Sequence, residues 1–332
     1  MIIDMHSHTV PNAIKRVGAD EFNWHGVKLQ ADPEGGLRFH VANHKGRLPW
    51  RNFRATPEDR IKLLDDFGID FQLLSMSPAL WQFKSDPADG LAAAREFNND
   101  IAEIARTYPT RFGGFAWLPL QDPKASVDEL ARAVNDLGMV GASVATHVNG
   151  ENWDSEKLFP ILKAAHDLDA IVFFHPAQVR VRDLIPKFHL RNMIGNPWEI
   201  TAAAGSLVFG GVLDKLPNLK VVLCHGGGYT PLAMGRMDHG HAVRAEAKEF
   251  IRQTPSDYLK AFYYDTITHS VPGLEFLIEQ VGEDKIVLGT DYPADMGSAD
   301  PVGWVESIGS LGAATRKKIL GDNMSALLGK TK

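Results

Sequence analysis

Two histidines stand one residue apart near the start of the chain, in the stretch MIIDMHSH. The apolar residues before them are typical of a buried strand. Alternate residues of a strand point to the same side, so His6 and His8 would face the same way. Paired imidazoles in this arrangement can chelate a divalent metal ion. An isolated pair is more often two surface or capping histidines, so a metal site requires further ligands elsewhere in the chain.

Three more polar residues end apolar runs in the same manner. His175 ends IVFFH, His225 ends VVLCH and Asp291 ends IVLGTD. Any one of them alone could be a core residue whose polar atoms bind the backbone. Together with the first pair, they place imidazoles and a carboxylate at four strand ends, which is a set of donors suited to Zn²⁺ or a similar divalent ion.

Eight apolar runs, separated by amphipathic helical stretches, must position these residues. The runs lack strict alternation, as expected of parallel strands that are buried on both faces. They span residues 1–8, 70–76, 111–120, 141–147, 170–176, 220–226, 261–266 and 285–293. Eight β–α units in succession predict an α/β fold, a (β/α)₈ TIM barrel formed by a single domain over 1–332. A Rossmann-type sheet is the second candidate, but no strand is followed by GxGxxG. Active sites of barrels lie at the carboxyl ends of the strands, where the polar strand ends would meet.

Two segments are longer than a connection between a strand and its helix requires. Residues 9–55 follow the first strand, and residues 177–205 follow the fifth strand. We expect the first insertion to cover the active site and the second to form another of its walls.

Composition argues against several other classes of protein. The chain has 332 residues and a net charge of −6 without a basic run, so neither nucleic acid nor a membrane is an expected partner. No apolar stretch reaches the ~20 residues of a membrane span, and the first residues do not read as a signal peptide. The single cysteine, Cys224, cannot form an internal disulfide, and strand alternation would turn it away from the face of His225. We therefore expect a cytoplasmic protein of small-molecule chemistry.

The stretches DMHSH, FFHPA, LCHGGGYTP and LGTDYP resemble the metal-dependent amidohydrolase superfamily, in the branch of aminocarboxymuconate semialdehyde decarboxylase and related nonoxidative decarboxylases. The resemblance spans almost the whole chain. It implies one divalent metal ion, Zn²⁺ with Mn²⁺ as the alternative, because the strands QLLSM and SVATH offer no terminal lysine to bridge two ions. It also implies roles for the strand-end residues, namely metal ligation by His6, His8, His175 and Asp291, and catalysis by His225 together with Asp291.

The resemblance also implies how a substrate is bound. Arg236, in GRMDHG, matches an arginine that reaches the site of a neighbouring subunit and binds a substrate carboxylate, which implies a homodimer. Arg47 and Arg51 lie near the place of a second family arginine, in a stretch that departs from the family's pattern. From the residues themselves, Trp198 could stack on a planar substrate and His269 could contact it.

The resemblance favours a decarboxylase that acts, through metal-bound hydroxide, on a small carboxylated ring-cleavage product or aromatic acid. Both histidines of HxH are kept, as in the semialdehyde decarboxylase, whereas resorcylate-type relatives typically replace the first with a carboxylate. A hydrolase of amide, lactone or C–C bonds, or a hydratase, would use the same ligand set. A non-enzymatic barrel with a structural ion is the remaining alternative, and a fifth group, His225, beside a full ligand set argues against it.

Overall fold

Eight short parallel strands follow one another around a barrel in the computed structural model, which describes residues 1–41, 44–48, 50–81 and 83–329. The strands are β1 (Ile3–Thr9), β2 (Phe71–Met76), β3 (Phe112–Trp117), β4 (Gly141–Ala145), β5 (Ile171–His175), β6 (Lys220–Leu223), β7 (Phe262–Asp265) and β8 (Ile286–Val287). All eight coincide with apolar runs of the sequence, and the predicted (β/α)₈ barrel is confirmed. Almost every strand residue is buried, which explains why the runs do not alternate.

The two ends of the chain close the barrel. The Met5 amide donates to the Leu288 carbonyl at 2.9 Å, and the Asp291 amide donates to the His6 carbonyl at 2.8 Å. These bonds bring the HxH pair of β1 against the acidic residue after β8, although 283 residues separate His8 from Asp291.

Helices cover the outside of the barrel, and the first of the long ones begins at a signal that the sequence carries. Thr56 caps the helix Pro57–Phe67, because its Oγ1 accepts a hydrogen bond from the Asp59 amide at 3.2 Å. Gly68 ends that helix with a φ of 69°, a left-handed conformation that glycine adopts without steric penalty. The other barrel helices are Pro87–Thr107, Pro123–Asn135, Phe159–Asp167, Asn196–Phe209, Thr230–Val243, Val271–Val281 and Pro301–Ser307. Shorter helices are Asn12–Lys15, Trp50–Phe53, Val212–Lys215, Ala313–Lys317 and Asn323–Leu327. Within the described ranges, none of the helices combines the length and the apolarity that a membrane span requires.

The first insertion folds into a four-stranded antiparallel sheet that the sequence analysis does not predict. Its strands are Phe22–Trp24, Val27–Ala31, Leu37–Val41 and His44–Leu48. Trp24 attaches this sheet to the barrel. Its ring stacks on Trp117 with centroids 6.1 Å apart, and its Nε1 donates to Glu96, on the helix after β2, at 3.1 Å. That residues 9–55 cover the active site stays a prediction.

The second insertion is tied to the helix that follows it. It contains a 3₁₀ turn at Arg182–Leu184 and a π-helical turn at Arg191–Gly195, and it leads into the helix Asn196–Phe209. Glu199 of this helix is fully buried, and the Arg180 guanidinium donates to it from Nη2 at 2.8 Å. Because a buried charge requires a partner, this ion pair fixes the path of the insertion.

Candidate active site

Four side chains converge at the carboxyl ends of β1, β5 and β8. The Nε2 atoms of His6 and His8 lie 3.2 Å apart. Asp291 Oδ1 lies 3.2 Å from the first of these nitrogens and 3.0 Å from the second. His175 completes the group, because one donor atom of each residue lies within 4.8 Å of the others. The barrel therefore brings together, in a buried position, the four residues that the sequence suggests as metal ligands.

Two of these histidines have their second ring nitrogen engaged by a strong acceptor. His6 Nδ1 donates to Asp265 Oδ2 at 2.6 Å, and His175 Nδ1 donates to the Pro176 carbonyl at 2.9 Å. Such bonds hold the ring in one orientation and keep the proton on Nδ1. In the neutral ring, the Nε2 lone pair then faces the centre of the cluster.

The third histidine is fixed in the same way by a serine. The Ser75 hydroxyl donates its own proton to the Ser7 carbonyl at 2.8 Å, so it must accept from His8 Nδ1, which lies 2.9 Å away. His8 therefore also presents the Nε2 lone pair. All three imidazoles are oriented for the same metal-facing role.

One nitrogen of the cluster is left without a hydrogen-bond partner by the described residues. His175 Nε2 is buried and forms no hydrogen bond among the described atoms. Leaving a buried polar atom unpaired costs about 1–3 kcal/mol. Three Nε2 atoms and one carboxylate oxygen directed at a common point are the donors that zinc and manganese ions accept. The residues present therefore fit one divalent metal ion.

The charges of the cluster also attract a cation. Burial alone would raise the pKa of Asp291, but the charge of His6 and hydrogen bonds from the surrounding histidines hold it well below its usual range. Burial would lower the pKa of His6, but Asp291 and Asp265 together raise it to about 10. Burial and the neighbouring imidazoles lower the pKa of His175 well below its usual value. A proton on His6 and a metal ion would therefore compete for the same nitrogen.

His225 stands at the edge of the cluster. Its Nε2 lies 3.6 Å from Asp291 Oδ2, and its side chain is 14% exposed. A run of three glycines turns the chain directly after it. Gly228 has a φ of 63°, and a Cβ at that position would collide with the Pro197 carbonyl oxygen, so the turn requires glycine there.

Asp265 connects this turn to the cluster. Its Oδ2 accepts from His6 Nδ1, and its Oδ1 accepts from the Gly226 amide at 2.8 Å. One buried carboxylate therefore fixes both a metal-facing ring and the turn that carries His225. Asp265 is not among the site residues that the sequence predicts, although it ends the apolar run AFYYD. The other candidate residues also stand at the ends of apolar runs. The same position could therefore have identified Asp265 from the sequence.

A second buried network supports the strands that carry the ligands. Asp4 Oδ2 accepts from Gln72 Nε2 at 2.6 Å and from Thr290 Oγ1 at 2.7 Å. Arg60, from the helix after β1, donates from Nη1 to Gln72 at 2.9 Å and from Nη2 to the His8 carbonyl at 2.7 Å. The network links β1, β2 and the residue before Asp291, so it holds the backbone beside the cluster in place.

A cavity of about 350 Å³ opens beside the cluster. His225 and Asp291 line it, and its other walls come from the second insertion and from the segments that follow β6, β7 and β8. The apolar part of the lining includes Met193, Pro231, Leu232, Phe276, Leu277 and Met296. Among the described residues, no lysine or arginine lines this cavity. The space is large enough for a small molecule with one end at the cluster.

The family model described as Amidohydrolase matches residues 3–330. The chain belongs to the amidohydrolase family. This amidohydrolase is 34% identical over 337 residues to the 2-amino-3-carboxymuconate-6-semialdehyde decarboxylase of Dictyostelium discoideum, with 98% of this chain and 91% of that protein covered. It is 31% identical to the gamma-resorcylate decarboxylase of Polaromonas sp. (strain JS666), with 78% of this chain and 83% of that protein covered.

A solved structure shares the architecture of this amidohydrolase. It is a dihydroxybenzoic acid decarboxylase from Polaromonas sp. JS666, with bound manganese and an inhibitor, 2-nitroresorcinol. The TM-score is 0.81 at 26% identity, and the match covers 99% of this chain and 96% of that chain. The family and the decarboxylase branch that the sequence predicts are confirmed.

The residues predicted to bind substrate lie in different parts of the amidohydrolase. His269 lines the cavity. Arg47 lies on the sheet of the first insertion, where its Nε donates to Asp32 Oδ2 at 3.0 Å. Arg236 is exposed on the helix Thr230–Val243 and does not line the cavity of its own chain.

Of the two remaining candidates, Trp198 does not line the cavity, and the side chain of Arg51 lies outside the described residues. Trp198 follows the cavity-lining Pro197, and the Arg180 guanidinium covers its ring at 5.1 Å. Arg51 belongs to the short helix Trp50–Phe53, and its side chain is outside the described part of the chain. The substrate-binding roles of all five residues stay predictions.

Cys224 is placed differently from the sequence prediction. β6 ends at Leu223, so strand alternation stops before the cysteine, and His225 takes a left-handed conformation with a φ of 51°. The Sγ atom consequently lies within 4.8 Å of donor nitrogens of His175 and His225. The prediction that Cys224 points away from the face of His225 is therefore wrong. Burial raises the pKa of the thiol well above its usual value, which argues against a nucleophilic role.

Proposed function

We propose that this amidohydrolase is a metal-dependent nonoxidative decarboxylase of a small carboxylated ring-cleavage product or aromatic acid. One observation carries the proposal: a buried group of three imidazoles and a carboxylate opens onto a largely apolar cavity of about 350 Å³. A ring-sized substrate would place its carboxylate near the cluster and its ring against the apolar walls. The names of the relatives, which are decarboxylases of both substrate types, support the same reaction.

The four clustered residues, His6, His8, His175 and Asp291, are the proposed ligands of one divalent ion. Three imidazoles and one carboxylate favour Zn²⁺, and Mn²⁺ is the alternative because the Polaromonas relative carries manganese. When bound, such an ion supplies Lewis acidity, which polarises a substrate oxygen and lowers the pKa of a coordinated water from ~15.7 toward ~7.

His225 is the proposed proton carrier. Its side chain lines the cavity and its Nε2 lies 3.6 Å from Asp291 Oδ2, so it can reach a substrate without being a ligand. In decarboxylation, the bond between the substrate carbon and its carboxyl group breaks, the electron pair stays on that carbon, and carbon dioxide leaves. The carbon then requires one proton, which His225 delivers as a general acid. Asp265 keeps His225 in place through the Gly226 amide.

The apolar walls of the cavity favour the same reaction. The reactant carries a charged carboxylate that water stabilises, whereas carbon dioxide is neutral. Side chains such as Leu277 and Met296 offer no hydrogen bond to a carboxylate, so they disfavour the charged reactant more than they disfavour the neutral product.

A second subunit is the proposed source of a cation for the substrate. The substrate is an anion, and no lysine or arginine within the described ranges lines the cavity. We propose a homodimer in which Arg236 of one subunit enters the site of the other, where a guanidinium can bind a carboxylate through two hydrogen bonds. The exposure of Arg236 on the helix Thr230–Val243 is consistent with this role.

Mixing two inactive variants tests the shared site. Arg236→Ala lacks only the arginine that a subunit lends, and His225→Ala lacks only its own proton carrier. A mixed dimer contains one site with both defects and one with neither, so activity should return after subunit exchange. If a tag confirms exchange and no activity returns, Arg236 does not act across subunits.

Product analysis tests the reaction itself. The metal-loaded protein is incubated with 2-amino-3-carboxymuconate-6-semialdehyde and, separately, with gamma-resorcylate, and carbon dioxide is measured together with the organic product. We expect one carbon dioxide per substrate consumed for at least one of the two compounds, and none with Asp291→Ala. A product that gains water and keeps every carboxyl group would instead identify a hydrolase or hydratase.

A further inference from the structure

A second group of metal donors shares one residue with the first group. Donor atoms of His175, Cys224 and His225 all lie within 4.8 Å of one another. Cys224 is fully buried and is the only cysteine of the chain. The proposed decarboxylation makes no use of the Cys224 thiol, so the role of a thiol beside two histidines is a separate question.

His175 indicates that this second group can hold a cation. Its Nδ1 is bound to the Pro176 carbonyl, so Nε2 is the nitrogen that remains for a ligand. The residue is only 6% exposed, and Nε2 has no hydrogen-bond partner among the described atoms. Because the ring has only this nitrogen left to offer, a cation can use it in the group with Asp291 or in the group with Cys224, but not in both at once.

The two groups differ in the softness of their donors. The cluster with Asp291 includes a carboxylate oxygen, which suits Mn²⁺ and Zn²⁺, whereas the second group includes sulfur, which soft cations prefer. We propose that His175, Cys224 and His225 form an alternative site that captures a soft divalent cation such as Cd²⁺ and thereby inactivates the enzyme. The thiol releases its proton to solvent as the bond between sulfur and the cation forms.

Capture of the cation would disable the site in two ways. His225 becomes a ligand and can no longer deliver a proton, and His175 is withdrawn from the cluster that holds the catalytic ion. His225 lines the cavity, so a cation that enters the cavity meets one of the three donors there. The inactivation rests on the proposed function, whereas the binding of the cation does not.

The test adds Cd²⁺ to manganese-loaded wild-type protein and to its Cys224→Ser variant, with Mg²⁺ as the hard-cation control. The readouts are the ultraviolet charge-transfer absorption of a sulfur–cadmium bond, the cadmium and manganese content per chain, and activity. Because the chain has a single cysteine, any such absorption reports on Cys224. Cys224→Ala serves as a second variant if serine disturbs the packing.

We expect the wild-type protein to develop the absorption, to bind about one Cd²⁺ per chain and to lose activity. Cys224→Ser should show no absorption, keep its manganese-dependent activity, and require on the order of tenfold more Cd²⁺ for half-inhibition. Mg²⁺ should leave both proteins unchanged.

Two results would overturn the inference. One is the absence of the absorption in folded wild-type protein. The other is equal inhibition of the wild type and both variants, which would place the inhibitory cation in the cluster with Asp291. If the absorption develops and disappears with Cys224→Ser while neither protein decarboxylates any substrate, the alternative site is supported and only the proposed function fails.

Discussion

The metal cluster takes its polar side chains from the ends of β1, β5 and β8, whereas the cavity beside it is lined by segments that follow the strands. In the cluster, side chains are buried and held by directed hydrogen bonds, as His6 is by Asp265. In the cavity, large apolar side chains remain exposed, with Phe276 at 38% and Leu232 at 74%. One region is rigid and polar, and the other is open and mostly apolar.

This difference assigns different tasks to the two regions. Ligands that are already oriented bind a metal ion without reorganisation, so the cluster is suited to the bond-breaking step. Apolar contacts carry little directional information, so a single wall residue can be truncated with little effect on the position of the reacting atoms. We therefore expect substitutions in the cluster to change metal content and turnover, and substitutions in the cavity to change substrate affinity.

The largest effect is expected from removing a ligand. His175→Ala and Asp291→Ala should each lose most of the bound metal and all measurable activity, because the remaining donors cannot complete the coordination shell. Metal per chain, measured by mass spectrometry, checks this. His147→Ala is the matched control, since that histidine is also buried but bonds to the Gln178 carbonyl. Full metal content in both variants would show that His175 and Asp291 do not hold the metal. The expected difference between the cluster and the cavity would then fail.

The next effect separates proton transfer from metal binding. His225→Ala should keep its metal while its turnover number falls on the order of 10²–10⁴-fold, the usual contribution of a general acid. Metal content and steady-state kinetics are measured on the same preparation. A metal-free His225→Ala protein would show that this residue is a ligand and belongs inside the cluster.

A smaller effect is expected from the carboxylate behind the cluster. In the wild type, Asp265 accepts hydrogen bonds from the His6 ring and from the Gly226 amide. Asp265→Asn replaces one acceptor oxygen by an N–H donor, so a donor then faces a donor at one of these two contacts. Metal affinity should fall by roughly 10–100-fold. Competition with a chelator measures it. Asp100→Asn, whose carboxylate accepts from the Asn12 amide elsewhere, should leave metal affinity unchanged.

The smallest effect is expected in the cavity wall. Phe276→Ala removes part of an apolar surface that a ring would cover, so KM should rise by about fivefold, equivalent to about 1 kcal/mol. Metal content should stay at the wild-type level. Phe250→Ala, another exposed phenylalanine that does not line the cavity, is the control. A loss of metal in Phe276→Ala would show that the two regions are not independent.

The eight strands, and the four polar side chains that meet at their carboxyl ends, could be predicted because each strand is a short continuous apolar run with a clear end. In IVFFH, for example, the apolar residues identify β5 and the terminal histidine lies where a barrel places its active site. Closure of the barrel then determines that His8 and Asp291 meet.

Other features depend on contacts between residues that are far apart in the chain, and a local sequence pattern does not reveal such contacts. The sheet of the first insertion is built from short strands with exposed residues, such as Phe22–Trp24. This strand packs on the barrel through the contact of Trp24 with Trp117, which lies far away in the sequence. Arg47 pairs with Asp32 only because that sheet brings them together. Cys224 was misplaced because strand alternation ends one residue earlier, at Leu223.

Anomalous diffraction from a crystal of the manganese-loaded protein tests the central claim most directly. We expect one strong peak per chain, roughly 2.0–2.3 Å from Nε2 of His6, His8 and His175 and from an oxygen of Asp291. His225 should lie near this peak without being bonded to it. A peak bonded to His225, or the absence of a peak among these four residues in a catalytically active crystal, would contradict the account.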